Sequence, residues 1–175
     1  MPETRLARRA FGRFRRGDGG QSLVEVALAL PLLAFTLLGG ADMARAFAVE
    51  LAVQNGARAA AESTALAATP TGLEASAHAQ DEMSRTPGLN VSGVCTQSGT
   101  VWTCGAATVT VAFTEADGTS ACTGAPSTSV AGTSSVSSPC YAKVRVQYAF
   151  STIVPWPGLP HTFHFDRTTM FRRYG

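Results

Sequence analysis

The chain has 175 residues, enough for one ordinary domain plus a targeting or anchoring segment and too few for two full domains. Its net charge of +2 hides an asymmetry. Residues 1–20 carry six arginines (Arg5, Arg8, Arg9, Arg13, Arg15, Arg16) against Glu3 and Asp18, while the remainder is net acidic. The arginines abut an apolar run and no DNA-binding motif accompanies them, so they are read as setting membrane orientation, with no nucleic acid as a partner.

The apolar run comes next. From Leu23 to Ala41 the chain reads LVEVALALPLLAFTLLGGA, with Glu25 as its one charged residue. Counted from Ser22, it makes a helix of roughly 30 Å, the thickness of a bilayer's hydrocarbon core. Arginines precede it and no comparable basic cluster follows. The positive-inside rule therefore leaves the N-terminus in the cytoplasm and exports everything after Ala41. An ordinary signal peptide cleaved after Ala41, or a plain single-pass anchor, would satisfy the hydropathy equally well. Neither accounts for Glu25, because a carboxylate inside an apolar helix costs on the order of 2–3 kcal/mol and needs a partner. Pro31 is tolerable in a membrane helix and by itself says little.

Beyond the run, residues 42–68 contain 11 alanines and no proline, which predicts that the helix continues outward. Met43, Phe47 and Leu51 form a narrow apolar stripe at helical spacing. Two roles for it remain open: packing on the protein's own sheet, or contact with neighbouring helices. Thr69-Pro70 breaks the helix, and Thr71 to Glu74 forms a capping box for a second helix over 71–85, with Leu73, Ala77 and Met83 as its apolar positions. Residues 91–171 turn β-like. Val101 to Phe113 reads as one β-rich stretch after a turn at Gln97-Ser98-Gly99, Val144, Val146, Tyr148 and Phe150 alternate, and Phe163, Phe165 and Phe171 mark a last strand. The expected fold class is α+β: a long N-terminal membrane-spanning helix continuing outward and packed on a small antiparallel sheet, with disulfides. The implied divisions are a basic cytoplasmic leader at 1–20, a transmembrane helix at 21–41 and an exported domain at 42–175.

All four cysteines (Cys95, Cys104, Cys122, Cys140) lie in the exported part, in a region rich in Ser, Thr and Gly, without C-x-x-C spacing. That favours two disulfides formed in an oxidising compartment over a metal site or free thiols. A bridge between Cys95 and Cys104 across a hairpin is the simplest pairing, leaving Cys122 and Cys140 to close the loop 123–139. That loop is too polar to bury apolar surface of its own. Four cysteines allow three pairings, and spacing does not choose among them.

No catalytic constellation emerges. His161 and His164 are separated so that a strand places them on opposite faces, and no further ligand completes a zinc site, so neither a metal nor a cofactor is expected. There is no G-x-S-x-G elbow and no phosphate loop. Trp102 and Trp156 read as packing residues, with Pro155-Trp156-Pro157-Gly158 as a possible interaction loop.

Taken together, residues 16–35 (RGDGGQSLVEVALALPLLAF) resemble the TadE-like family of tight-adherence pilus assembly proteins. Asp42, Arg45 and Phe47 extend the resemblance as D-x-x-R-x-F, followed by the Ala52–Arg58 segment AVQNGAR. Residues 142–150 followed by Pro155 are similar to the family's final strand region. The resemblance implies a minor pseudopilin, not an enzyme, cut by a prepilin peptidase between Gly20 and Gln21. It implies other pilin and pseudopilin subunits, the inner-membrane pilus assembly platform and membrane lipid as partners, in a bacterial inner membrane. Glu25 then becomes the fifth mature residue and an assembly residue. Four residues along a helix return to nearly the same face, so the new ammonium at Gln21 and the Glu25 carboxylate would share one side of the helix end, where each can pair with a neighbouring subunit. The competing expectation is a secreted or membrane-anchored extracellular binding protein with an ordinary signal peptide or anchor.

Overall fold

The computed structural model describes residues 19–67, 71–122 and 139–173. The arginine-rich leader, the Thr69-Pro70 break and residues 123–138 of the loop lie outside them. Helix α1 spans Gly19–Leu66, and the chain divides into two compact units at Gly39 and Gly40.

In the first unit the helix is apolar on every side, and its side chains are exposed all round. Leu23, Leu28 and Leu37 are each more than 70% exposed (72%, 72% and 74%). In water such a surface would drive aggregation; in a bilayer it is matched by lipid. Pro31 lies inside the helix and deprives the Ala27 carbonyl of its usual N–H donor. Thr36 turns its hydroxyl inward, donating to the Leu32 and Leu33 carbonyls at 3.1 and 2.9 Å, so this polar group needs no water.

The second unit is built on small residues. Along its part of α1 the buried positions are Asp42, Val49, Ala52, Val53, Gly56, Ala57, Ala60, Ala61, Thr64 and Ala65, a helical stripe of mostly short side chains. Helix α2 (Gly72–Ser84) lies against this stripe. Its start is set by Thr71, whose Oγ1 accepts the Glu74 N–H at 3.2 Å, the bond expected of an N-cap. Ala75, Ala79 and Met83 point into the core, whereas Leu73 and Ala77 are exposed. This corrects the apolar face expected for the second helix: Leu73 lies in the first turn, before the helix meets the core, and the contact is made by alanines.

Five antiparallel strands among the described residues complete the core: β1 (Thr96–Ser98), β2 (Val101–Cys104), β3 (Ala107–Thr114), β4 (Tyr141–Ser151) and β5 (Thr162–Arg172), in that spatial order. β4 is central and alternates cleanly, burying Ala142, Val144, Val146, Tyr148 and Phe150. These side chains meet α1 and α2 in one apolar cluster with Val109 of β3, and Phe163, Phe165 and Phe171 of β5 pack against it. The fold is therefore α+β, with helix packed on an antiparallel sheet. The opposite sheet face is polar. On it Arg145 Nε contacts both carboxylate oxygens of Asp166 at 2.9 and 3.0 Å, its Nη2 also bonds Oδ2, and Gln147 adds a further bond at 3.1 Å. An ion pair between Arg167 and Glu50 ties β5 to α1.

The β-rich stretch from Val101 to Phe113 is not continuous. It reverses at Gly105, which has φ of +62°. A Cβ at that position would sit 2.4 Å from the Asn90 carbonyl oxygen, so glycine is needed both for the turn and for the close approach. Two disulfides are present: Cys95–Cys104 with Cα atoms 4.3 Å apart, and Cys122–Cys140 with Cα atoms 5.6 Å apart.

The tightest point between the helices is Gly56, where a Cβ would lie 2.8 Å from Met83 Cγ and 3.2 Å from the Ala79 carbonyl oxygen. Gly56→Val should lower unfolding stability by about 1–3 kcal/mol through overpacking. Gly40→Ala, which meets nothing within 4 Å, should leave stability unchanged or raise it by up to about 1 kcal/mol. Thermal unfolding of both variants in detergent, followed by circular dichroism, measures the contrast.

Candidate functional site

Three features carry chemistry, and each follows from where the sequence places charge beside apolar surface. The first is the start of α1. Gln21 and Glu25 lie one turn apart on an exposed face, and Gln21 Nε2 reaches Glu25 Oε1 at 3.4 Å. This is a weak bond from a neutral amide, and it leaves the carboxylate's charge without a cation from within the apolar stretch, which holds no basic residue from Gln21 to Ala41. Gly20 has open space on the side where a Cβ would project.

The second feature is the stripe of Met43, Phe47 and Leu51. All three are exposed (64%, 64% and 57%), on the side of α1 away from the buried alanines. Of the two roles open to this stripe, packing on the protein's own sheet is excluded: the sheet takes the small-residue face, and the large side chains point outward.

The third feature is Asp42, the first residue after the apolar run. Its side chain is only 5% exposed, yet every contact to it is a donor. Oδ1 accepts the Ile153 N–H at 3.0 Å, and Oδ2 accepts the Val154 N–H at 3.4 Å and the Trp156 Nε1–H at 3.1 Å. Arg45, one turn on, pairs with Oδ1 at 3.3 Å and lies 5.3 Å above the Phe150 ring. The Ile153 N–H bond is the largest influence on the carboxyl; with the Trp156 and Val154 bonds and the Arg45 charge it outweighs desolvation and holds the pKa below the ordinary 3.8. Asp42 thus clasps the loop between β4 and β5 onto the part of α1 that follows the apolar run. Sequence reasoning placed Asp42 in a motif and Trp156 in a loop without joining them.

The histidines do not converge. His161 precedes β5 and its Nδ1 lies 2.9 Å from Thr152 Oγ1, while His164 lies within β5 opposite Ala149. No group of three or more His, Cys, Asp or Glu residues arranged to hold a metal occurs among the described residues. A cleft of about 310 Å³ beside Arg45 is lined by Val49, Leu89, Tyr148 and Phe150, and its lining includes no carboxylate, histidine or thiol.

Residues 20–62 match the family model described as TadE-like protein. Over these residues, within α1, the chain is similar to TadE-like proteins. The matched segment opens on Gly20 and includes Gln21, Glu25, Asp42 and the Met43–Phe47–Leu51 stripe, while the loop that Asp42 holds lies outside it. The TadE-like family is a structural family of pilus assembly, and the match points to a protein of the tight-adherence pilus. No curated protein and no solved structure matches the chain. The TadE-like helix is also long and apolar enough to cross a membrane, which makes it a candidate anchor.

The Asp42 clasp has a pH signature. A carboxyl whose folded pKa is lowered contributes stability that is fully present above the unfolded value of 3.8 and is lost as pH falls through the lower folded value. Asp42→Asn should therefore be less stable than wild type at neutral pH, and the difference should shrink in acid below about pH 4. Chemical denaturation in detergent as a function of pH measures it.

Proposed function

We propose that this chain is a minor pseudopilin, a pilus assembly protein of a tight-adherence, type IV-like pilus or secretion system. In this reading a prepilin peptidase cuts between Gly20 and Gln21. The N-terminus faces the cytoplasm, residues 21–41 span the bacterial inner membrane, and the domain from Asp42 onward is exported. The partners are the peptidase, other pilin and pseudopilin subunits, and the inner-membrane assembly platform.

One observation carries the reading: Glu25 is the one charged residue in an exposed apolar helix, four residues beyond Gln21, where this reading starts the mature chain. Left alone in hydrocarbon it costs on the order of 2–3 kcal/mol. Paired with the Gln21 ammonium of an adjacent subunit, the same charge fixes the register between two helices, because removing either partner strands the other in low dielectric. Apolar surface beyond the membrane supports the same arrangement. Met43, Phe47 and Leu51 extend a lateral contact surface two turns past Ala41 on the side the sheet leaves open.

Co-expression with the matching prepilin peptidase, followed by N-terminal sequencing of the membrane fraction, tests this. A mature chain starting at Gln21 is expected. An intact leader, or soluble material starting at Asp42, would instead favour an extracellular binding protein exported by an ordinary signal peptide. Glu25→Ala should leave membrane fractionation and cleavage intact while abolishing most recovery of the subunit with assembled pilin. Co-purification from sheared or detergent-solubilised pili measures that split.

A further inference from the structure

The Asp42 clasp fixes the position of a loop whose composition suits neither water nor a protein core. Asp42 immediately follows Ala41, the last residue of the apolar run. By holding the amides of Ile153 and Val154 and the indole N–H of Trp156, it keeps the base of the β4–β5 loop within hydrogen-bond distance of the point where the helix leaves the apolar run. From Ser151 to Pro160 that loop reads STIVPWPGLP, with no charged residue. Ile153 and Leu159 are 59% and 60% exposed.

The backbone of the loop is prepared for dehydration. Thr152 donates its amide to the His161 carbonyl at 3.1 Å, Ile153 and Val154 donate theirs to Asp42, and Leu159 donates to the Trp156 carbonyl at 3.2 Å. Pro155, Pro157 and Pro160 have no amide hydrogen to satisfy. The Thr152 hydroxyl bonds the Val154 carbonyl at 2.9 Å. Most of the segment's amide donors are thus paired or absent, which lowers the cost of entering the interface, where its carbonyls can still meet water and headgroups. At the same boundary the Arg45 side chain is 44% exposed, with a cation to offer a headgroup phosphate.

We propose that the loop from Thr152 to His161 seats in the lipid interface of the leaflet at which the apolar run ends. Ile153 and Leu159 enter the acyl boundary, Trp156 lies at headgroup depth in the manner of interfacial tryptophans, and Arg45 faces phosphate. The chain then touches the bilayer at two places, the helix and the loop, and the exported domain is restrained from swivelling about its helix. The proposal rests on the reading of residues 21–41 as embedded in a membrane.

The test uses the full chain reconstituted in vesicles of phosphatidylethanolamine and phosphatidylglycerol, with bromine on the acyl chains near the headgroups as a quencher of tryptophan emission. Flotation of protein with vesicles is measured on the same sample. The chain is expected to float, and brominated lipid to quench a component of the emission that is missing from Trp156→Phe. The double variant Ile153→Glu/Leu159→Glu alters only exposed side chains; it should still float and lose about half or more of that quenching. Flotation with Trp156 unquenched, or unchanged quenching in the double variant, would overturn the loop proposal and leave the anchor standing. So would shielding of Trp156 that arises only when another pilus subunit is added, since the occupant would then be protein. Failure to float would overturn anchor and loop together.

Discussion

The second unit depends on how closely one face of α1 can be approached. Ala52, Gly56, Ala57, Ala60 and Ala61 give that face almost no side-chain height, and α2 answers with Ala75, Ala79 and the flexible Met83. Close approach is what allows a short helix and a small sheet to share one core with a helix that must also serve elsewhere. Larger residues on this face would push α2 and β4 outward and open voids that the modest side chains of Val109, Val144 and Val146 could not fill. The bulk has gone instead to Met43, Phe47 and Leu51 on the other side. The segregation of small and large residues around one helix thus separates what holds the subunit together from what it offers to others.

Polar groups in this molecule are sparse near the apolar run, and each has a distinct fate. Thr36 closes its hydroxyl onto its own helix, Asp42 takes up donors from a distant loop, and Glu25 is left with only a long bond from a neutral amide. Two of the three are satisfied within the chain. The third is the residue on which the assembly reading rests: a neutral amide at 3.4 Å offsets little of the cost of a carboxylate in an apolar setting.

Much of the architecture was legible because it is written at short range. The apolar run, the Thr71 cap, the alternation of β4 and the phenylalanines of β5 all follow from periods of 3.6 or 2 residues and from local hydrogen bonding. The failures were equally local in cause. A run of β-branched residues hid the reversal at Gly105, because the need for glycine there comes from Asn90 fifteen residues earlier. Leu73 looked like a core residue and Ala75 did not, because hydrophobicity was read without knowing how near α1 would come. The Asp42 clasp spans more than 110 residues of sequence, and no periodicity can announce a contact of that range. Of the candidate site, Glu25 stood out as a charge where hydrocarbon was expected. Asp42 carried no such signal, since a carboxylate at the end of an apolar segment is ordinarily just a solvated boundary residue.

The Cys122–Cys140 bridge has a consequence for how such a protein can vary. It holds the two ends of the intervening segment with their Cα atoms 5.6 Å apart, while Cys122 is adjoined to β3 through its amide bond to the Phe113 carbonyl and Cys140 leads directly into β4. The bridge therefore fixes a narrow doorway between those two ends whatever chain lies between them. Closing a longer segment at that doorway costs only about 0.6 kcal/mol for each doubling of its length. Variation in length between the two cysteines thus bears lightly on the strands that the bridge joins.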